Sequence, residues 1–127
     1  MARRPLPLFD VTGPAKRDIT AILKRSIREF GKDASVRYRA LIRQALNDIR
    51  ADPERPGSRE RPEIMIPGAR TYHLQFSKSR VGGQAVKEPR HFLLYRRKPD
   101  GVIEVARLLD DVHDLARHLP DDYQRSE

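Results

Sequence analysis

The sequence has no cysteine and no tryptophan. Disulfides, thiol nucleophiles and thiolate metal sites are therefore excluded. No apolar run approaches the roughly 20 residues of a membrane span, so no membrane contact is expected. The first ten residues, MARRPLPLFD, hold two arginines but no uninterrupted apolar stretch. A secretory signal is not expected, and a cytoplasmic setting fits. Gly82-Gly83 is an isolated pair with no Lys-Ser/Thr after it, which removes a phosphate-binding loop. The histidines are His73, His91, His113 and His118. The last two stand five apart on a predicted helix and do not share a face cleanly, which argues against a zinc site. No metal and no cofactor are expected.

What is present is charge, chiefly basic. The 127 residues carry a net +8, and the length suits one domain over 1–127, with 1–5 and 120–127 as flexible ends. Residues 1–60 and 61–107 each have a surplus of six positive charges, whereas 108–127 have a surplus of four negative ones. A basic body favours an acidic partner, either nucleic acid or an acidic protein surface. Solvated helix faces account for the same charge without any partner.

The apolar period changes once along the chain. Pro5 and Pro7 oppose a helix, so Leu6–Val11 reads as a short edge strand. Thr12-Gly13-Pro14 reads as an N-cap and first turn. Ile19, Ile22, Leu23, Ile27 and Phe30 recur at helical spacing and predict a helix over 14–30, stopped at Gly31. Asp33 is positioned to cap a second helix over 33–51, marked by Val36, Tyr38, Leu41, Ile42, Ala45, Leu46 and Ile49 and ended by Asp52-Pro53. So short a link requires an antiparallel hairpin. Residues 52–63, with three prolines and almost nothing apolar, read as a loop. From there the period is two. Strands are expected over 70–77, with Tyr72, Leu74 and Phe76 on one face, over 90–98, and over 101–109, the last two joined at Asp100-Gly101. The last strand is apolar on both faces and so should lie inside the sheet. A short helix over Asp111–Leu119 should close the chain. The fold class is α+β: a short first strand, a helical hairpin, a three-stranded antiparallel meander and a C-terminal helix.

The candidate chemistry lies on and around the strands. Arg70, Lys78, Arg80, Lys87, Arg90, Arg96, Arg97, Lys98 and Arg107 are interleaved with Tyr72, His73, His91 and Tyr95. Arginine and lysine neutralise phosphates and aromatic rings stack bases. A metal-independent ribonuclease could draw a base, an acid and phosphorane-stabilising cations from Arg90, His91, Tyr95, Arg96 and Arg107. The plainer reading makes the tyrosines core and the arginines edge charges that deter strand pairing. Asp110, Asp111 and Asp114 read as a capping turn at a helix start rather than a cation site.

Three stretches carry a family resemblance: GARTYHL at 68–74, PRHFLLYRR at 89–97 and DGVIEVARLL at 100–109, followed by DLARHLP at 114–120. Together they resemble the C-terminal half of toxins of the RelE/ParE superfamily, the poison halves of type II toxin–antitoxin pairs. The hairpin after a first strand matches by layout. The resemblance implies a cognate antitoxin that wraps the toxin in a hetero-oligomer. For the ParE branch it implies action on DNA gyrase, and for the RelE branch messenger-RNA cleavage on the ribosome. The RelE catalytic arginine aligns with Phe92 here. The RelE arginines and tyrosine after the final strand align with the acidic Asp110-Asp111-Val112-His113-Asp114 and with His118. Acids repel phosphate, so the ParE branch is favoured. The chain departs from many ParE relatives in having Asp110 where they carry histidine. On this reading the target-binding residues are Arg70, Arg90, Arg96, Arg107, Asp110 and His113. The antitoxin would be met by Ile22, Leu41, Leu74, Phe76, Phe92 and Leu94.

Overall fold

The computed structural model describes residues 9–83 and 86–111. Strand β1 (Phe9–Val11) leads into helix α1 (Gly13–Phe30) through Thr12, whose hydroxyl accepts the Ala15 N–H at 3.3 Å, with Pro14 in the first turn. Gly31 alone separates α1 from α2 (Lys32–Ala51). Its φ of +92° is open to glycine and strained for other residues, and its N–H donates to Ile27 O at 3.0 Å. Ser35 is buried and donates to Leu23 O at 3.1 Å, which ties the returning helix to the first. Asp33 does not cap α2. Gly31 takes that place, and Asp33 sits within the first turn, where the helix dipole favours a carboxylate. Asp52 closes α2, as expected.

The sheet has five strands among the described residues, in the order β1-β5-β4-β3-β2, with β2 at Ser58–Glu60, β3 at Arg70–His73, β4 at His91–Arg97 and β5 at Ile103–Asp110. The meander β3-β4-β5 is antiparallel, as the sequence predicts. The sheet as a whole is mixed, because β1 joins β5 in parallel with Phe9 opposite Ile103. Residues 52–63 are not all loop, since Ser58–Glu60 pair with β3. Three polar residues between proline-rich flanks show no apolar alternation, so nothing in the sequence marks them as a strand.

The strand expected over 70–77 stops at His73 and becomes a 3-10 helix over Leu74–Arg80. His73 Nδ1 accepts the Gln75 N–H at 3.0 Å and starts the turn. Ser77 then reaches the buried carboxylate of Asp48 on α2 at 2.6 Å and shares a 2.8 Å hydrogen bond with the Tyr72 hydroxyl. Leu74 is fully buried in the same cluster as Tyr72, and Phe76, 43% exposed, still sets its ring 5.8 Å from the Tyr72 ring, although the backbone that carries both is helical and not extended. The Phe76 ring covers Gly57, where a Cβ would stand 2.6 Å from ring carbon. The Asp48 carboxylate, itself 3% exposed, also accepts Arg80 Nε at 3.0 Å and Gln44 Nε2 at 2.9 Å, with Arg55 Nη1 at 3.5 Å.

β5 is apolar on both faces because both faces are covered. Leu23, Leu41, Ala45 and Ile49 of the hairpin pack on Tyr72, Leu93, Tyr95, Val105 and Leu108. On the far face Ile64, Ile66 and Ala69 cover Leu94 and Ala106. A bulge at Ala106 shifts the β4–β5 register between Leu94 and Tyr95. Beyond the end of β1, the β5 edge is completed by α1 and its cap. Thr12 Oγ1 donates to Ala106 O at 3.0 Å, and Leu108 N–H donates to Asp18 Oδ2 at 3.0 Å. No helix among the described residues is long and apolar enough to cross a membrane. The expected helix over Asp111–Leu119, together with His113, His118 and both chain ends, lies outside the described residues.

Candidate functional site

A groove of about 1100 Å³ opens between the hairpin and the start of β4. Helical spacing brings Ile22, Phe30 and Ala34 to its wall, and Val86, before β4, faces them. Arg25, Arg37, Lys87 and Arg90 stand around it, with Glu29, Glu88 and Asp110 among them. Phe30 is 72% exposed. An aromatic ring left in water at a groove is a feature of surfaces that other proteins cover.

A polar chain lies at the floor, where α2 meets the end of the sheet. Arg90 N–H donates to the Tyr38 hydroxyl at 3.1 Å, and that hydroxyl shares a 2.6 Å hydrogen bond with His91 Nδ1. The two rings also meet edge to face at 5.5 Å. Burial pushes the Tyr38 hydroxyl up to about 12, outweighing the Arg90 hydrogen bond. Burial likewise pushes His91 below its ordinary 6.5, against the opposing pull of Asp110 and Asp111. Next to this pair, His73 Nε2 donates to Asp111 Oδ2 at 2.9 Å, and Arg90 Nε lies 3.4 Å from Asp111 Oδ1. Burial raises the Asp111 carboxyl, but the hydrogen bonds from His73 and Arg90 and the Arg90 charge prevail, and it lies below its ordinary 3.8.

His91 gives the molecule a defined acid response. Below pH 6.5 the unfolded chain binds a proton at this ring while the folded chain, with its lowered value, does not. Stability is thus lost as pH falls from 6.5 towards the folded value. The Asp111 contribution is separate and is lost lower, as pH falls below 3.8. Thermal melts between about pH 7.5 and 5 should show stability declining in wild type and a shallower decline in His91→Gln. Equal slopes would contradict the role given to His91.

The residues singled out from the sequence do not all converge. Arg90, His91 and Asp110 share the groove. Arg107 forms a two-point ion pair with Asp18, at 2.6 and 2.9 Å, at the sheet edge. Arg96 is bound to Glu104 at 2.9 Å on the face away from the hairpin. Arg70 donates to Ser58 Oγ at 2.7 Å and lies 3.5 Å from Glu60, next to β2. Tyr95 is fully buried, its hydroxyl donating to Pro53 O at 2.6 Å, so it is a core residue with no access to a substrate. Leu41, Leu74 and Leu94 are likewise interior and offer no surface to an antitoxin. Ile22 and Phe92 are half-buried and Phe76 is exposed. Tyr38 was legible only as an apolar position on α2, because helical spacing does not tell a core phenyl ring from a phenol with a partner. The His73–Asp111 pair had no sequence signal, since 38 residues separate its members.

The sequence matches the family described as "ParE toxin of type II toxin-antitoxin system, parDE" over residues 9–115. No curated protein matches. Among solved structures, the chain is similar to one from the chromosomal ParDE toxin–antitoxin system of P. aeruginosa, with a TM-score of 0.56 and 16% identity, covering 83% of this chain and 96% of that one. At that identity the likeness speaks for the fold. The α+β arrangement, with its hairpin on one face of a sheet ending in the β3-β4-β5 meander, fits the match that spans most of the sequence, and the chain belongs to the ParE toxin family of type II toxin–antitoxin systems.

Proposed function

We propose that this chain is a toxin that inhibits DNA gyrase by binding, with no bond-breaking chemistry of its own, and that a cognate antitoxin silences it. The observation that carries the first half is the state of the strand arginines. A ribonuclease needs cations converging on the scissile phosphate, because the phosphorane is more negative than the ground state. Here Arg70, Arg96 and Arg107 each face a carboxylate of the same chain, at separate places on the sheet. Arg90 and His91 remain at the groove, and they are joined there by Asp110 and Asp111. Such a surface suits the amides and charges of a protein better than it suits RNA.

The groove supports the second half. Its apolar wall of Ile22, Phe30, Ala34 and Val86 would take the apolar stripe of a helix, and Arg25, Arg37, Lys87 and Arg90 would meet acids flanking that stripe. The toxin and antitoxin would then form a hetero-oligomer acting in the cytoplasm. Induction in cells tests the reading. Filamentation and DNA-damage signalling with translation continuing is the expected result. An early stop of translation, with transcripts cut at the ribosome in a way that Arg90→Ala abolishes, would establish the ribonuclease reading instead.

A further inference from the structure

The helical hairpin carries far more positive than negative charge. α1 holds Lys16, Arg17, Lys24, Arg25 and Arg28, and α2 holds Lys32, Arg37, Arg39, Arg43 and Arg50, against four acids. Three of the acids are engaged elsewhere. Asp18 takes Arg107 and the Leu108 N–H, Glu29 takes Arg25 at 3.0 Å beside the groove, and Asp48 is buried with Ser77 and Arg80. The fourth, Asp33, stands next to the hairpin turn. Arg17, Lys24, Arg28, Arg39 and Arg43 are all exposed, and no carboxylate of the described residues pairs with them. An ordinary solvated face intersperses both signs; this one has a single sign.

Helical spacing gathers the five cations on one surface. Seven and then four residues separate Arg17, Lys24 and Arg28, and four separate Arg39 from Arg43, so each set lies along one side of its helix. Lys24, Arg39 and Arg43 meet at the seam between the helices, where Ile19, Ile27 and Leu46 lie between them. Leu41, Ala45 and Ile49 of α2 turn to the sheet, so the seam is on the side away from it. The seam and the groove share no lining residue.

We propose that this outer face of the hairpin binds double-stranded DNA through its phosphates, without regard to sequence. From Arg17 to Arg28 the helix advances about 16 Å, at roughly 1.5 Å per residue. Over that length one DNA strand presents about five phosphates, one for each 3.4 Å or so of axis. Packed helix axes lie about 8–10 Å apart, so the cations form two rows. Two lines of phosphate border a DNA minor groove about 6 Å wide, and the two rows match them. The wide minor groove of an RNA duplex sets its phosphate lines too far apart. Between the rows the seam is apolar but for Thr20, so contact goes to the backbone and carries no sequence preference. The proposal goes beyond the gyrase reading and does not depend on it. In a toxin that acts on gyrase, this face would hold the DNA that the enzyme carries.

Fluorescence anisotropy of a short labelled DNA duplex, titrated with the purified full chain, tests the proposal. The logarithm of the binding constant should fall against the logarithm of salt with a slope of about −4 to −5, the value for five phosphate contacts. Arg43→Glu should flatten the slope by about one and weaken binding at least about fivefold, and Lys24→Glu with Arg43→Glu should flatten it by about two. Arg59→Glu makes the same charge change on β2 and should bind like wild type. All three positions are exposed, so the changes leave the fold intact. A wild-type chain that binds no duplex overturns the proposal. Equal weakening by Arg59→Glu also overturns it, because net charge alone would then explain the binding. An RNA duplex bound as tightly, or polyglutamate that displaces the DNA at equal charge, would assign the face to another polyanion and overturn it. If gyrase is unaffected by a chain that binds duplex through Lys24 and Arg43, the gyrase reading falls and the DNA-binding face stands.

Discussion

Replacing Asp48 by alanine is expected to lower the stability of the chain by about 3–5 kcal/mol, the usual consequence of deleting one partner from a buried charged network. The carboxylate is nearly inaccessible and gathers Ser77, Arg80, Gln44 and Arg55 from three separate segments. Without it, the Ser77 hydroxyl keeps only the Tyr72 hydroxyl, and Arg55, whose guanidinium lies 5.6 Å from the centre of the Tyr72 ring, loses its only carboxylate contact given by the structure. The later part of the 3-10 helix over Leu74–Arg80 should loosen first, because its polar links to α2, through Ser77 and Arg80, run to this carboxylate. The melting temperature should fall by more than about 10 °C. A fall of only one or two degrees would show that the network is dispensable.

The second large effect concerns the groove. Phe30→Glu should weaken the complex with the antitoxin by at least about 30-fold, as expected for an aromatic anchor worth roughly 2 kcal/mol or more. Phe30 is 72% exposed, so the change leaves the fold of the free chain intact. Val36→Glu is the matched control. It is on the same hairpin and 60% exposed, but it does not line the groove, and it should bind the antitoxin like wild type. Equal weakening by both would move the antitoxin to another part of the hairpin.

The elements that the sequence makes legible are those in which local pattern and burial agree. Ile19, Ile22 and Leu23 repeat at helical spacing because one side of α1 meets the core, although Ile27, at the same spacing, is 49% exposed. The Thr12 cap and the Gly31 stop are visible for the same local reasons. The Lys98–Gly101 turn is legible because Gly101 takes φ +89°, which a glycine after aspartate advertises. The misses share one cause, which is that distant residues decide them. The strand beginning at Arg70 ends at His73 because Asp48, on α2, draws Ser77 inward. Ser58–Glu60 becomes a strand because β3 offers it an edge. The strand arginines looked available because Asp18 and Glu104, their partners, lie 89 and 8 residues away in sequence. Exposure, too, escapes the sequence. Nothing in EIMIPG says that the two isoleucines face inward and the methionine outward.

The measurement that bears most directly on the central claim is a supercoiling assay with purified gyrase, relaxed plasmid and the purified toxin. A gyrase-binding toxin should stop supercoiling, cleaved plasmid should accumulate on the enzyme, and adding the antitoxin should restore activity. Gyrase that supercoils at its full rate in the presence of active toxin, while messenger RNA is cut at the ribosome, would contradict it.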